Sequence, residues 1–94
     1  MQYQPVWASS IYHLFVVTTA ERDNLIKHLN QNNIFPALHY PVPCHLQKAY
    51  QNLNYKVGDC PNAEYLAAHC LSLPMYAELT DNEVTTVIDC LNNY

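Results

Sequence analysis

Apolar positions dominate Ser9 to Thr18: Ile11, His13, Phe15 and Val17 point one way along an extended chain, and Tyr12, Leu14 and Val16 the other. Both sides are largely apolar, which predicts a central strand covered on both faces. The period then changes. Thr18 and Glu21 have the spacing of a capping box, and Leu25, Ile26 and Leu29 supply an apolar helical stripe that Asn32 and Asn33 should end. Ile34 to His39 reads as a second strand, confined to an edge or a bulge because Pro36 has no donor for a ladder.

Downstream the pattern is mostly helical. Leu46, Ala49, Tyr50 and Leu53 predict a short helix, and Asn54 to Asp59 a turn around Gly58. Pro61 suits the first turn of another helix, capped by Asp59 or Cys60, with Ala63, Leu66, Ala67 and Cys70 on its buried face. Ser72 to Met75 has room for a brief strand. Thr80 and Glu83 repeat the capping box, Leu79 and Val84 form a hydrophobic staple, and Val84, Val87, Ile88 and Leu91 make the final stripe. The fold class is therefore α+β: a small, mostly antiparallel sheet with helices packed on it, in one domain over residues 1–94.

A chain of 94 residues buries only about 60–65% of the surface its unfolded form exposes. Half of the residues are hydrophobic and 13% are charged, which supplies a core and argues against disorder. The same balance hints that some apolar surface is normally covered by something else. The formal charge is −4, and Arg22, Lys27, Lys48 and Lys56 form no basic cluster, so nucleic-acid binding is not expected. No apolar run reaches membrane-spanning length and no signal-peptide pattern opens the chain; the expectation is a soluble cytoplasmic protein with no membrane partner. Cys44, Cys60, Cys70 and Cys90 then read as reduced, buried thiols, with Cys70 and Cys90 on apolar helix faces.

The candidate chemistry lies in HYPVPCH. Pro41 and Pro43 hold this stretch extended and withhold two backbone donors, leaving His39, Tyr40 and His45 on a stiff loop between elements. Imidazole and phenol can donate to phosphate oxygens, and aromatic rings can cover a sugar or base. The residues equally fit a structural reading, in which His39 bonds backbone at the strand end, Tyr40 packs and His45 caps the following helix. His13, among apolar neighbours, fits a core residue or a supporting contact. His39, Cys44 and His45, or His69 and Cys70, lack the paired ligand spacing zinc prefers, so no metal is expected. Glu21 and Glu83 have capping roles, and Glu64 and Glu78 read as solvated, leaving no carboxylate pair for acid–base work.

Four ordered segments, YHLFVV, HYPVPCHLQKAY, GDCPNAEYLA and LSLPMYAELTDNEVTTVI, resemble the C-terminal small domain of DegT/DnrJ/StrS-type sugar aminotransferases, which are pyridoxal-phosphate enzymes of the aspartate-aminotransferase fold (fold type I). The resemblance runs from about Pro5 to Tyr94 and implies a nucleotide-sugar substrate and a partner, the large cofactor-binding domain or a chain supplying it. It implies substrate binding by His39, Tyr40 and His45, with His13 near the domain interface. Pyridoxal phosphate needs a Schiff-base lysine, an acidic partner for the ring nitrogen and a phosphate cup. In the family the large domain brings all three, and Lys27, Lys48 and Lys56 match none of the Schiff-base motif. No cofactor is thus expected on this chain alone, and no transaminase activity. A stand-alone binding module or a remnant of a truncated gene are the alternatives. An apolar strand left uncovered would make the chain prone to self-association.

Overall fold

The computed structural model describes residues 3–94. Its two strands, β1 (Phe15–Thr18) and β2 (Cys70–Leu73), pair antiparallel with Phe15 opposite Leu73 and Thr18 opposite Cys70. Three α-helices complete the regular structure: α1 (Arg22–Gln31), α2 (Pro61–His69) and α3 (Asp81–Asn92). Two 3-10 helices, Cys44–Leu46 and Lys48–Leu53, lie between α1 and α2. The architecture is α+β, as the pattern predicted.

The covered strand is β2, not β1. All four β2 residues are buried, whereas Phe15, Val16 and Thr18 of β1 are exposed. On its other side β2 meets Ala37, through Ala37 N–H to the Ser72 carbonyl (2.9 Å) and Ser72 N–H to the Ala37 carbonyl (2.8 Å). This single bridge is all that forms of the strand expected over Ile34 to His39, consistent with the break that Pro36 imposes. The long strand from Ser9 is also cut short. Tyr12 has a left-handed backbone (φ 51°) and its N–H is taken by the Ser10 hydroxyl at 3.0 Å, a local turn that competes with ladder pairing.

Leu71 and Leu73 project from β2 onto Leu25 and Leu29 of α1 and onto Ile34; Val17, Ile26, Val87, Cys90 and Leu91 close the cluster. Leu29 and Leu71 are completely buried. His28 Nε2 donates to the Cys90 carbonyl (3.0 Å), tying α1 to α3, and the Arg22 guanidinium donates to the Ala67 carbonyl (2.7 Å), tying α1 to α2.

Of the two expected capping boxes, one forms. At α3, Thr80 accepts from Glu83 N–H and the Glu83 carboxylate accepts from Thr80 N–H, the full box. At α1 the box is absent. Thr18 is committed to the β ladder opposite Cys70, so Thr19 accepts from Glu21 N–H instead and the helix begins at Arg22. Asn33 at φ 59° ends that helix as expected. The predicted stripes are partly rotated: Val84 and Ile88 of α3 are half-exposed, and of the α2 face Ala67 is buried while Ala63 and Leu66 are exposed. Cys70 belongs to β2 rather than to a helix. All four cysteines are free thiols, but only Cys70 is buried; Cys60 and Cys90 are partly exposed and Cys44 is exposed, correcting the expectation of four buried ones. No helix among the described residues is long and apolar enough to cross a membrane.

Candidate functional site

Alternation along β2 gives its second face to Cys70 and Ser72, opposite Thr18 and Val16. The loop after Ala37 folds onto this face. His39 Nδ1 and the Ser72 hydroxyl share a hydrogen bond of 2.9 Å, and the Cys70 thiol lies 3.9 Å from the His39 carbonyl oxygen. Ser72 is the one buried polar residue of the sheet, 3% exposed, and His39 satisfies it. Beside them Leu14, Phe35, Ala37, His39, Ser72 and Met75 border a shallow groove of about 180 Å³. Tyr40 stands edge-on to the His39 ring at 5.4 Å and is 70% exposed.

The predicted residues do not form one cluster. His39 and Tyr40 are adjacent at the groove. His45 turns away from it, in the first 3-10 helix, with Nε2 3.0 Å from Glu64 Oε1 and its ring edge-on to Tyr55. His13 is exposed in the segment before β1, next to the groove residue Leu14. Glu64, read from the sequence as solvated, is in fact an acceptor for Gly58 N–H (2.9 Å), Cys60 N–H (3.2 Å) and His45. The Gly58 amide first, then His45 and Cys60, hold its carboxyl below the usual carboxylate value in spite of partial burial. Ser72 and Glu64 are the two residues sequence reasoning missed. Ser72 carried a signal, as the lone hydroxyl in an apolar run, LSL, that must lie in a sheet.

A second groove opens at the start of α1, bordered by Glu21, Arg22, Asp23, Asn24, Ala68 and His69. Its two carboxylates and the Arg22–Asp23 contact (3.1 Å) leave no free positive centre for an anion.

Large apolar side chains are exposed around the loop side and the arm leading to β1, among them Trp7 at 85%, Ile11 at 90%, Phe35 and Val57.

A profile of the DegT/DnrJ/EryC1/StrS aminotransferase family matches residues 1–92. The chain belongs to this family. It is 41% identical over 85 residues to the erythromycin biosynthesis sensory transduction protein EryC1 of Saccharopolyspora erythraea, covering 90% of this chain and 23% of that one. It is 40% identical over 90 residues to dTDP-3-amino-3,4,6-trideoxy-alpha-D-glucose transaminase of Streptomyces venezuelae, covering 96% of this chain and 22% of the relative. Among solved structures, S. venezuelae DesV in complex with ketimine intermediate superposes with a TM-score of 0.86 at 39% identity, over 90% of this chain and 23% of that one. A family aminotransferase from Brucella abortus gives 0.85 at 28% identity, over 97% and 24%. The chain thus spans less than a quarter of the length of these relatives.

The family implies pyridoxal phosphate, which is held through a lysine amino group. Lys27, Lys48 and Lys56 are exposed, and none borders either groove. Among the described residues no lysine amino group borders either groove, so this donor set does not fit a covalently held aldehyde cofactor.

Proposed function

We propose that residues 1–94 act as the C-terminal small domain of a fold-type I nucleotide-sugar aminotransferase, closing over a substrate whose chemistry is carried out elsewhere. Pyridoxal phosphate and its lysine belong, in this reading, to a large domain that covers the arm and the loop side. The loop His39–His45 is the substrate side, with His39 and Tyr40 the groups nearest a nucleoside-diphosphate sugar and His13 alongside. The observation that carries the reading is the pairing of family membership with an imidazole held in place by Ser72 beside an open tyrosine. A ring fixed on one nitrogen keeps the other for a phosphate or sugar hydroxyl, and a tyrosine in the open costs little to bring onto a sugar face. Two relatives are named as dTDP-sugar transaminases and one as a UDP-N-acetyl-glucosamine-type aminotransferase, which supports this substrate class.

The test is a chimera in which these residues replace the matching segment of the S. venezuelae transaminase. Tyr40→Ala and His39→Ala should each raise KM for the nucleotide sugar about three- to tenfold, the loss of one modest contact, with kcat changed less. An active chimera whose KM ignores both substitutions would contradict the proposal. Without a covering domain, the exposed Trp7, Ile11 and Phe35 should drive self-association, read by sedimentation over a concentration series; a strict monomer at high concentration would count against that covered face.

A further inference from the structure

His45 and Glu64 are 19 residues apart in sequence yet bonded, and the bond joins two segments that little else holds. Every residue from Lys48 to Asp59 is exposed, so no core side chain pins the stretch between the loop and α2. Glu64, in the first turn of α2, reaches back to it: both carboxylate oxygens accept from Gly58 N–H at 2.9 Å, and Oε1 also accepts from Cys60 N–H. A carboxylate that gathers several donors stays ionised at neutral pH and can only accept. The nitrogen of His45 that faces it must therefore carry a proton, which fixes the ring as an Nε2–H donor. The His45 side chain is 8% exposed and Tyr55 lies against it, leaving little of the ring for a ligand.

We propose that His45 is a positioning residue: through Glu64 it clasps the substrate loop to the Asn54–Cys60 turn, and it does not touch substrate itself. The proposal deepens the substrate-side reading of His39–His45 and rests on it for its functional consequence. The loop is then held at both ends, His39 by Ser72 and His45 by Glu64, with Tyr40 open between them. Pro41 and Pro43 restrict the backbone from Tyr40 to Cys44, so a position set at His45 is transmitted to Tyr40 rather than absorbed.

The experiment uses the 94-residue chain, wild type, His45→Ala and His45→Gln, the last because a glutamine amide can still donate to Glu64. Three signals are read: the tautomer of His45 from its imidazole nitrogens, hydrogen exchange at the Gly58 and Cys60 amides, and amide shifts on adding a dTDP-sugar. The expected result is an Nε2–H tautomer. His45→Ala should speed exchange at Gly58 and Cys60 about tenfold, the scale of one charge-assisted hydrogen bond, with α3 amides unchanged. It should also weaken sugar binding about three- to tenfold, with the shifts still centred on His39 and Tyr40. His45→Gln should restore both. An Nδ1–H tautomer, unchanged exchange in His45→Ala, or a glutamine variant that behaves like the alanine one would each overturn the clasp. Loss of all ligand shifts with exchange unchanged would instead make His45 a direct contact, also against it. If the wild type shows no ligand shifts, the substrate reading falls while tautomer and exchange still decide the clasp. If His45→Ala does not fold, the wild-type tautomer and the glutamine variant's exchange decide it.

Discussion

The two faces of β2 are built on opposite terms. Leu71 and Leu73 look onto a closed apolar cluster that α1 and α3 of the same chain complete. Cys70 and Ser72, one pleat over, meet a single loop through one histidine, and the neighbouring Val16, Phe35 and Tyr40 stay open. Burial on the first face holds the domain, while the second keeps polar groups positioned beside exposed apolar surface, the surface that the proposed function assigns to a ligand or covering domain.

The largest effect should come from breaking the closed face. Leu71→Ala removes a fully buried side chain and should cost about 3 kcal/mol in a urea titration, whereas Val16→Ala, half-exposed on the other face, should cost no more than about 0.5 kcal/mol. Similar losses from the two would mean that both faces are packed and would remove the contrast.

Ser72→Ala sharpens the comparison from the open face. With its partner gone, His39 loses one hydrogen bond and its fixed ring, at about 1 kcal/mol, and the His39 imidazole resonances should shift. An unchanged imidazole would mean that Ser72 does not orient it.

Helix starts give a contrast of similar size. Thr80→Ala deletes a formed cap and should cost about 1 kcal/mol, while Cys60→Ala, at a start where the cap position makes no side-chain bond, should cost almost nothing. Near-equal costs would show that the Cys60 side chain supports the start of α2.

The smallest effect is with pH. The Gly58 amide lowers the Glu64 carboxyl and the Thr80 amide lowers that of Glu83, both from an ordinary 4.5. A depressed carboxylate contributes stability that is full above its unfolded value and is lost as pH falls through the folded one. Stability should therefore be flat from neutrality to about pH 5 and decline in the acid range below 4.5. Glu64→Gln should reduce that decline. A profile that the substitution leaves untouched would place the acid sensitivity elsewhere.

Local signals were the legible ones. The Thr80–Glu83 box, the left-handed Asn33, Pro61 at a helix start and the Pro36 break each depend on residues a few positions apart. What the sequence hid was long-range competition. Thr18 has capping chemistry, but its backbone is taken by Cys70, 52 residues away in the ladder. Periodicity favoured Ile11 to Val17 as the covered strand because it cannot distinguish an apolar face packed in this chain from one left open, and β2 was the covered one. The candidate loop was visible in its prolines, histidines and tyrosine. Its supports were not, since Ser72 and Glu64 become partners of His39 and His45 only once the chain has folded.

The central claim, that the loop His39–His45 packed on the Ser72 side of β2 is the substrate side, is tested most directly by titrating a dTDP-sugar into the chain and following backbone amides. The account predicts weak saturable binding, with a Kd on the order of 1 mM, about −4 kcal/mol. His39, Tyr40 and Ser72 should move first while Leu25 and Leu29 stay still. Shifts confined to Arg22, Asn24 and His69 at the other groove, or no shift at about ten times that concentration, would contradict it.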